Sequence, residues 1–264
     1  MRLVWKRFKL YFRQLFRNIP KMKFLYILCQ KYVDDYRGEQ NSDMHTNGEL
    51  NFLKRNIGKF NNLFDVGANK GEWTRFILSL NKDVEIHCFE PSIYTFKKLK
   101  ENNFPKNVIC NNFGLNSKKE TRDLFVFGDG SGGNSLYKRY GIKQETQKKE
   151  KVILDTLENY CLEKNIKDID FIKIDTEGNE FEVLKGMKSL LKENKIKVIQ
   201  FEYGGCNLDA RVFLKDIFDF FKDFDYKIYK IFPNKIELIK NYRQDLDNFR
   251  YANYLAIQKN LELK

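Results

Sequence analysis

Apolar runs of strand length alternate with segments of helical periodicity between residues 61 and 222, and this alternation is what most constrains the fold. The predicted strands span residues 63–66, 84–89, 108–110, 171–174 and 198–201. The predicted helices span residues 72–80, 94–102, 157–164, 180–191 and 208–222. Such alternation predicts an α/β fold with a doubly wound, mostly parallel sheet that binds ligands at the carboxyl ends of its strands.

Two regions depart from this alternation. Residues 226–232, 235–240 and 251–258 predict a terminal antiparallel strand pair and an edge strand. Between Asp123 and Lys151 a loop rich in Gly and Ser, residues 127–136, precedes a charged stretch at 143–151. A long loop inside a compact domain is often a lid, whereas the charged stretch is typical of a solvated surface.

The length of 264 residues suits one α/β domain with an extension, and 24 Phe and 14 Tyr supply a large core. We assign residues 48–264 to the α/β domain and residues 1–47 to a basic, partly helical N-terminal extension. Five Cys without a C-x-x-C pair argue against a disulfide framework and favour a reducing compartment. The start lacks a continuous apolar signal-peptide core, so we expect a cytoplasmic protein.

The net charge of +12 is concentrated at the N-terminus. Residues 1–23 contain no acid and eight cations, which are Arg2, Lys6, Arg7, Lys9, Arg13, Arg17, Lys21 and Lys23. Apolar residues recur at helical spacing over residues 2–17, which predicts a basic amphipathic helix. Such a helix can lie on an anionic membrane at the inner face of the bilayer or pack on the protein's own core. Nucleic acid is a weaker third partner.

A strand, a glycine-containing turn and a helix follow one another at residues 63–73. Gly67 and Gly71 permit a tight turn, but Asn69 stands where a dinucleotide fingerprint requires its second glycine. Pyrophosphate binding, and with it an NAD oxidoreductase, is therefore disfavoured. Asp65 at the strand end would repel a diphosphate but attract the ammonium group of a bound amino acid.

A second acid, Glu90, ends the next predicted strand nineteen residues after Gly71. An acid at this position can accept hydrogen bonds from both ribose hydroxyls of a nucleoside. Together, Asp65 and Glu90 describe a ligand with an amino-acid end and a ribose but no phosphate between them. S-adenosylmethionine is such a ligand.

Further carboxylates follow the fourth and fifth strands, where they would converge beside the methyl donor. Strand alternation places Lys173 and Asp175 on one face, and Glu202 ends the fifth strand. Asp175, Lys173 and Glu202 are the candidate catalytic residues, since deprotonation of a hydroxyl needs a base. Asp175, Glu177 and Glu202 could also hold a divalent metal, although Asp175 and Glu180 could instead cap the next helix. Of the two histidines, His87 is predicted to be structural, and His45 could reach the site only if its loop folds over it.

Three motifs occur in the order and at the spacing found in the FkbM-type S-adenosylmethionine-dependent methyltransferases. They are DVGANKG at residues 65–71, FEP at 89–91, and IDFIKIDTEGNE at 169–180 followed by VLKG at 183–186. The resemblance covers residues 47–201, including NGE at 47–49.

This resemblance implies a class I methyltransferase (Rossmann-like) fold and O-methylation of a hydroxyl, often on a sugar or natural product. By resemblance, the methionine end of the cofactor would be surrounded by Asp65, Gly67, Ala68, Asn69 and Gly71. Glu90 would bind the ribose, and Asn112 and Phe113 would line the adenine.

The resulting hypothesis is an S-adenosylmethionine-dependent O-methyltransferase acting on a sugar hydroxyl of a surface glycan, a glycolipid or a related metabolite. An RNA ribose or cap methyltransferase is the alternative enzyme, because Lys173, Asp175 and a strand-five acid resemble its Lys/Asp/Glu chemistry. A non-catalytic binding protein that retains the fold is the alternative outside enzymes.

Overall fold

The computed structural model describes residues 2–18, 21–128, 132–139 and 148–263. The chain divides into two compact units, Met1–Glu39 and Gln40–Lys264. Residues 40–47, which we assigned to the extension, belong to the second unit by their packing. The functional division at residue 47 stays a prediction.

The first unit contains two helices, α1 (Arg2–Asn18) and α2 (Lys23–Arg37). The predicted N-terminal amphipathic helix is confirmed by α1, whereas α2 was not predicted. Gly38 ends α2 in the left-handed conformation, and its N–H donates to the carbonyl oxygens of Asp34 and Asp35. In the part of the chain that the structure describes, no helix is long and apolar enough to cross a membrane.

The second unit contains eight helices and eleven strands within its described residues. Its helices are α3 (Glu49–Asn56), α4 (Glu72–Leu80), α5 (Ile93–Lys100), α6 (Leu157–Lys164), α7 (Glu180–Lys185), α8 (Lys188–Lys192), α9 (Gly205–Ala210) and α10 (Leu214–Phe221). Its strands are β1 (Asn62–Val66), β2 (Glu85–Phe89), β3 (Val108–Asn111), β4 (Gly114–Leu115), β5 (Glu120–Val126), β6 (Lys148–Asp155), β7 (Ile169–Ile174), β8 (Ile196–Tyr203), β9 (Tyr226–Phe232), β10 (Lys235–Leu238) and β11 (Ala252–Gln258).

Eight strands form the main sheet in the order β10-β9-β11-β8-β7-β1-β2-β3. The five strands from β8 to β3 are parallel, and β11 pairs antiparallel with both β8 and β9. The predicted doubly wound sheet with an antiparallel C-terminal strand is confirmed. Because parallel strands end at the same edge, the segments after β1, β2, β7 and β8 meet there.

The prediction that residues 251–258 form an edge strand is wrong. Six of the seven residues of β11 are buried, so this strand needs neighbours on both sides, and it is inserted between β8 and β9. The hairpin of β9 and β10 forms the edge instead.

Two long predicted helices are each divided. The helix predicted at 180–191 breaks at Gly186, where a Cβ atom would lie 2.0 Å from the carbonyl oxygen of Asn116. The helix predicted at 208–222 breaks after Ala210, because Arg211 adopts a left-handed φ of 58° and caps α9.

A second, three-stranded sheet was missed by the sequence patterns. Strands β5 and β6 pair antiparallel from Glu120 opposite Leu154 to Val126 opposite Lys148, and β4 pairs with β6. Their buried face forms a small core of Leu124, Leu136, Val152 and Leu154. The charged stretch predicted as surface therefore enters a strand at Lys148. Residues 129–131 of the predicted lid and residues 143–147 lie outside the described residues.

Two apolar layers enclose the main sheet. One contains Phe64 and Phe201, and the other contains Leu63 and Phe171. Every residue of β7 is buried, and in β1 only Asn62 is not. A charged residue within these strands, such as Asp65 or Lys173, therefore lacks the usual access to water and needs a specific reason to be there.

Candidate active site

A cleft of about 780 Å³ opens at the carboxyl edge of the parallel strands. The residues that line it include Glu49, Asp65, Ala68, Asn69, Trp73, Arg139, Lys173, Asp175, Glu177, Glu202 and Tyr251. A smaller cavity of about 60 Å³ shares Gly67, Asn69, Asp175 and Glu177 with it. Most of the residues predicted for the site are thus brought together by the sheet.

The turn after β1 is wedged between neighbouring strand ends. The N–H groups of Gly67 and Ala68 both donate to the carbonyl oxygen of Phe89, at 3.0 Å each. Gly67 has a φ of 83°, and a Cβ atom there would lie 1.8 Å from the carbonyl oxygen of Asp175. Gly67 is thus required for close approach to the protein's own backbone, which holds the first turn against the end of β7.

Asp65 is fully buried but only half satisfied. Its Oδ2 accepts a 2.7 Å hydrogen bond from Thr74 Oγ1 on α4, whereas Oδ1 has no hydrogen-bond partner. Burial raises the pKa of Asp65, and the opposite effects of Lys173 and Thr74 do not cancel this rise. Asn69 Oδ1 and Trp73 Nε1 are also buried without partners, and all three residues line the cleft.

These unpartnered atoms show which ligand groups the cleft can satisfy, and they can be compared with the groups of the predicted cofactor. A buried polar atom without a partner costs free energy unless a ligand satisfies it. A carboxylate oxygen at Asp65 suits a ligand ammonium group, so the residues present fit the amino-acid end of S-adenosylmethionine.

Glu90 lies at the tip of β2, next to the first turn. Its Oε2 accepts from the N–H of Asn69 at 3.1 Å, and its Oε1 accepts from the N–H of Ser92 at 2.9 Å. Burial raises the pKa of Glu90 to about 7. Each oxygen retains a further lone pair for hydroxyl donors.

The smaller cavity beside Glu90 is mainly apolar, as an adenine ring requires. Its apolar side chains come from Val66, Phe89, Pro91 and four leucines, Leu115, Leu124, Leu136 and Leu154. Thr95 Oγ1, at the same cavity, is buried without a hydrogen-bond partner.

Asn112 and Phe113, the residues predicted to line the adenine, do not line this cavity. Asn112 Nδ2 donates to the carbonyl oxygen of Glu90 at 3.0 Å, and the Phe113 ring packs against Phe89. The wall is formed instead by the next two residues, Gly114 and Leu115, which make up β4.

Lys173 and Asp175 form a partly buried ion pair at the end of β7, with Nζ 2.7 Å from Oδ2. Burial lowers the pKa of Lys173, but three carboxylates, on Asp175, Asp65 and Glu49, outweigh it and raise the pKa above its ordinary value. Burial likewise raises the pKa of Asp175, but Lys173 and a hydrogen bond from Glu202 hold it below its usual value.

Glu202, at the end of β8, is hydrogen-bonded to Asp175. Burial and the neighbouring charge of Asp175 raise the pKa of Glu202 well above its ordinary value. The proton of this pair is therefore held on Glu202 in preference to Asp175, which favours the ionised form of Asp175. About one third of the Asp175 side chain (34 %) remains exposed on the cleft wall.

Glu49 is a buried carboxylate of the cleft that our sequence analysis did not assign. It begins α3, and its oxygens accept from Asn253 Nδ2 of β11 at 2.9 Å and from Gln200 Nε2 of β8. Asn47 Nδ2 also donates to it, at 2.5 Å. The NGE motif at residues 47–49 was the available signal.

Arg139 is a second unassigned residue, and it follows the loop rich in Gly and Ser. Its Nη1 lies 2.7 Å from Glu177 Oε2. Burial and the charge of Asp175 raise the pKa of Glu177 to about 7. Gly132 lines both cavities, and Asn134 lines the smaller one. The described part of this loop therefore covers the site, and its movement as a lid stays a prediction.

The candidate metal ligands do not form a metal site. Asp175 is paired with Lys173, Glu177 is paired with Arg139, and Glu202 is hydrogen-bonded to Asp175. Within residues 2–18, 21–128, 132–139 and 148–263, no group of three or more His, Cys, Asp or Glu residues could hold a metal ion.

The two histidines lie at different places. His87 is buried and contacts Tyr160 Oη through Nδ1 at 2.7 Å and Glu85 through Nε2 at 2.8 Å, which agrees with a structural role. His45 lines the cleft, because the 40–48 segment packs against this edge of the sheet.

Glu180 accepts hydrogen bonds from the N–H groups of Thr176 and Gly178 and holds the loop before α7.

The sheet order, with its antiparallel strand beside the fifth parallel strand and acids at the tips of β1 and β2, defines the class I methyltransferase fold. Residues 65–228 match the model of the methyltransferase FkbM domain. The chain belongs to this family, and the resemblance seen in the sequence motifs is confirmed.

Two curated relatives are similar to most of this chain. A 2-O-methyltransferase, NoeI, of Sinorhizobium fredii is 26% identical over 188 residues, which cover 66% of this chain and 76% of that protein. A hexuronic acid methyltransferase, AglP, of Haloferax volcanii is 27% identical over 175 residues, which cover 65% of this chain and 66% of that protein.

Among solved structures, a methyltransferase FkbM from Methylobacillus flagellatus is similar at 17% identity with a TM-score of 0.47. The similarity covers 74% of this chain and 43% of that one, so this chain spans less than half of its length.

Proposed function

We propose that this protein transfers the methyl group of S-adenosylmethionine to a hydroxyl oxygen of a carbohydrate. The observation that carries the proposal is the half-satisfied carboxylate of Asp65 beside Glu90 and the ionised Asp175, at the tips of three adjacent strands. This arrangement offers a site for an ammonium group, a site for a ribose and an oxygen base along one continuous edge.

Cofactor binding follows from the polar groups of the first two strand ends. Asp65 Oδ1 accepts from the ammonium group, and the free lone pairs of Glu90 accept from the ribose hydroxyls. The apolar cavity of Leu115 and Leu136 receives the adenine. When bound, S-adenosylmethionine supplies an activated methyl group on a sulfonium, so the protein contributes mainly positioning and proton transfer.

Asp175 is the base in this proposal. As the new C–O bond forms, the hydroxyl oxygen becomes positively charged and its proton becomes strongly acidic, so an ionised carboxylate of low pKa can accept it. Lys173 Nζ holds the Asp175 carboxylate in place at 2.7 Å. The hydrogen bond from Glu202 lowers the pKa of Asp175 and so favours its ionised form before the reaction. The transferred proton ends on Asp175.

The two relatives support the type of reaction and the class of acceptor. One is a 2-O-methyltransferase and the other a hexuronic acid methyltransferase, so O-methylation and a sugar acceptor are both represented. The cleft lining contains seven acids against three permanent cations, the cations being Lys70, Arg139 and Lys173. Burial raises the pKa of four of these acids, Glu49, Asp65, Glu177 and Glu202, so the ionised side chains of the cleft are compatible with a neutral or an acidic sugar.

The test combines cofactor binding with methyl transfer. Isothermal titration should give micromolar binding of S-adenosylmethionine, which corresponds to a binding free energy of about −8 kcal/mol. It should give no binding of NAD. Labelled methyl groups should then pass to oligosaccharides rather than to RNA. The Asp175→Asn variant should keep the binding and lose the turnover.

Three results would contradict the proposal. Silence in the titration would support a binding protein that has only kept the fold. Salt-sensitive RNA retention with methylation of the RNA would support the RNA methyltransferase. Full turnover of Asp175→Asn would remove Asp175 from the role of base.

A further inference from the structure

Helix α1 exposes a continuous aromatic stripe. Trp5, Phe8, Phe12 and Phe16 follow one another along one face, and their ring centroids are 6.1, 4.7 and 6.3 Å apart. All four are exposed, Phe16 to 65% of its maximum. Rings that contact one another along the helix yet remain open to water form a preorganised apolar surface.

The adjoining face of α1 is basic. At 100° per residue, Lys6, Lys9, Arg13 and Arg17 fall in one strip beside the aromatic stripe. The first acid of the chain is Asp34, so no Asp or Glu interrupts this strip of cations. An apolar stripe flanked by cations is the pattern of a helix that lies in the plane of a bilayer surface.

Helix α2 repeats the apolar feature. None of its residues is buried, and Leu25, Leu28, Tyr32 and Tyr36 are exposed. The half-buried residues of this helix are polar, namely Gln30, Asp34 and Arg37. Apolar and aromatic side chains are therefore exposed to solvent on both helices of the first unit.

We propose that residues 2–37 are a peripheral anchor for an anionic lipid bilayer. The aromatic rings enter the boundary between headgroups and acyl chains, and the adjoining cations contact lipid phosphates. Neither helix is long and apolar enough to span the bilayer, so the proposed anchor lies on the surface. Because α1 carries several cations and no acid, the bilayer that it contacts must be anionic.

Two other partners fit these observations less well. RNA would engage the cations of α1 but leave the stripe of Trp5, Phe8, Phe12 and Phe16 in water. A second copy of the chain would cover the aromatic rings but bring two strongly basic helices together, which mutual repulsion opposes.

The test is flotation of the full-length protein with vesicles, without methyl donor or acceptor, so that its outcome is independent of the proposed methyl transfer. The protein should float with phosphatidylglycerol-containing vesicles and not with phosphatidylcholine alone. The Phe8→Ser, Phe12→Ser double variant should lower the bound fraction at least about tenfold, because two rings no longer enter the lipid.

Matched variants separate the anchor from general surface effects. Leu162 and Leu208 are exposed apolar residues on helices of the second unit, so Leu162→Ser, Leu208→Ser should float like the wild type. Lys6→Glu, Arg13→Glu should release the protein from anionic vesicles, whereas Lys188→Glu, Lys192→Glu on α8 should not.

Any of three results would overturn the proposal. The first is absence of flotation, or equal flotation with both lipids. The second is wild-type flotation of Phe8→Ser, Phe12→Ser. The third is a wild-type protein that sediments as a dimer and does not float, together with a monomeric Phe8→Ser, Phe12→Ser variant. That result would assign the aromatic stripe to a second copy of the chain.

Discussion

Asp65 is a functional residue that lowers the stability of the fold, because it buries a carboxyl group within a strand. The residues on either side of it, Phe64 and Val66, are buried apolar residues of β1, and an apolar residue at position 65 would be the stable choice for a buried strand. Its pKa is raised by burial, and one of its oxygens has no partner in the protein. Such a group is typical of a binding site, where a ligand supplies the missing interaction.

We predict that Asp65→Asn weakens S-adenosylmethionine binding about 10- to 100-fold. Asparagine keeps the shape and can still accept from Thr74 Oγ1, but it loses the charge that an ammonium group requires. Isothermal titration measures the change. Asp170→Asn is the control, since Asp170 is a buried acid at the other end of β7 and pairs with Lys197. A loss of similar size in the control would indicate a fold defect.

We also predict that cofactor affinity rises with pH through the range set by Glu90. Its pKa of about 7 in the ligand-free protein means that it is mainly protonated below that pH. Ribose hydroxyls need the ionised acceptor, so binding below the pKa must release a proton, and affinity should fall by up to about tenfold per pH unit.

Titration from one pH unit above this pKa to one unit below it tests the assignment. Glu177 has a similar pKa, also about 7, and lies in the same cleft. Glu90→Gln should therefore bind weakly and without the pH dependence, while Glu177→Gln should keep that dependence. The reverse pattern would assign the titrating group to Glu177.

At the level of elements, the end of β1 and the end of β7 are locked together by one glycine. We predict that Gly67→Ala destabilises the protein by at least about 2 kcal/mol, because alanine must adopt a φ of 83° and its Cβ meets the Asp175 carbonyl oxygen. Urea unfolding gives the free energy. Gly58→Ala is the control, since a Cβ there has no neighbouring atom within 4 Å. Equal stability of the two variants would refute this role of Gly67.

Elements with strong local periodicity were predictable, and those defined by distant contacts were not. The spans of α4 and α6 agree with the prediction, because their apolar spacing and flanking residues are local signals. Strands β5 and β6 carry many charges, and only their mutual pairing over the core of Leu124 and Leu154 makes them strands. The break at Gly186 likewise depends on the Asn116 carbonyl oxygen, seventy residues away in sequence.

At the level of the whole molecule, the boundary between the two units lies at residue 39, and the cleft uses the segment directly after it. Gln40, Ser42, Asp43, Met44 and His45 line the cleft. We predict that a chain beginning at Gln40 keeps its folding stability and cofactor affinity, since its packing lies within the second unit.

A chain that begins at Gly48 should bind less tightly or turn over more slowly, because it lacks this wall and the hydrogen bond from Asn47 to Glu49. Thermal unfolding and titration of the two truncated chains measure the difference. Equal behaviour would support the functional boundary at residue 47 that the sequence predicts.

The sequence by itself determined the α/β class, the family and the two acids at the carboxyl ends of β1 and β2. These properties depend on residues close together along the chain, where periodicity and motif spacing specify which face and which strand end a side chain occupies. The amphipathic character of α1 is determined in the same way.

Only the tertiary structure decided the position of β11 inside the sheet, the entry of Glu49 and Arg139 into the cleft, and the hydrogen bond between Glu202 and Asp175. Each depends on side chains or strands that are distant in sequence and meet only when the sheet assembles. Charge and burial then act together, so the protonation state of a carboxyl is a property of its whole surroundings.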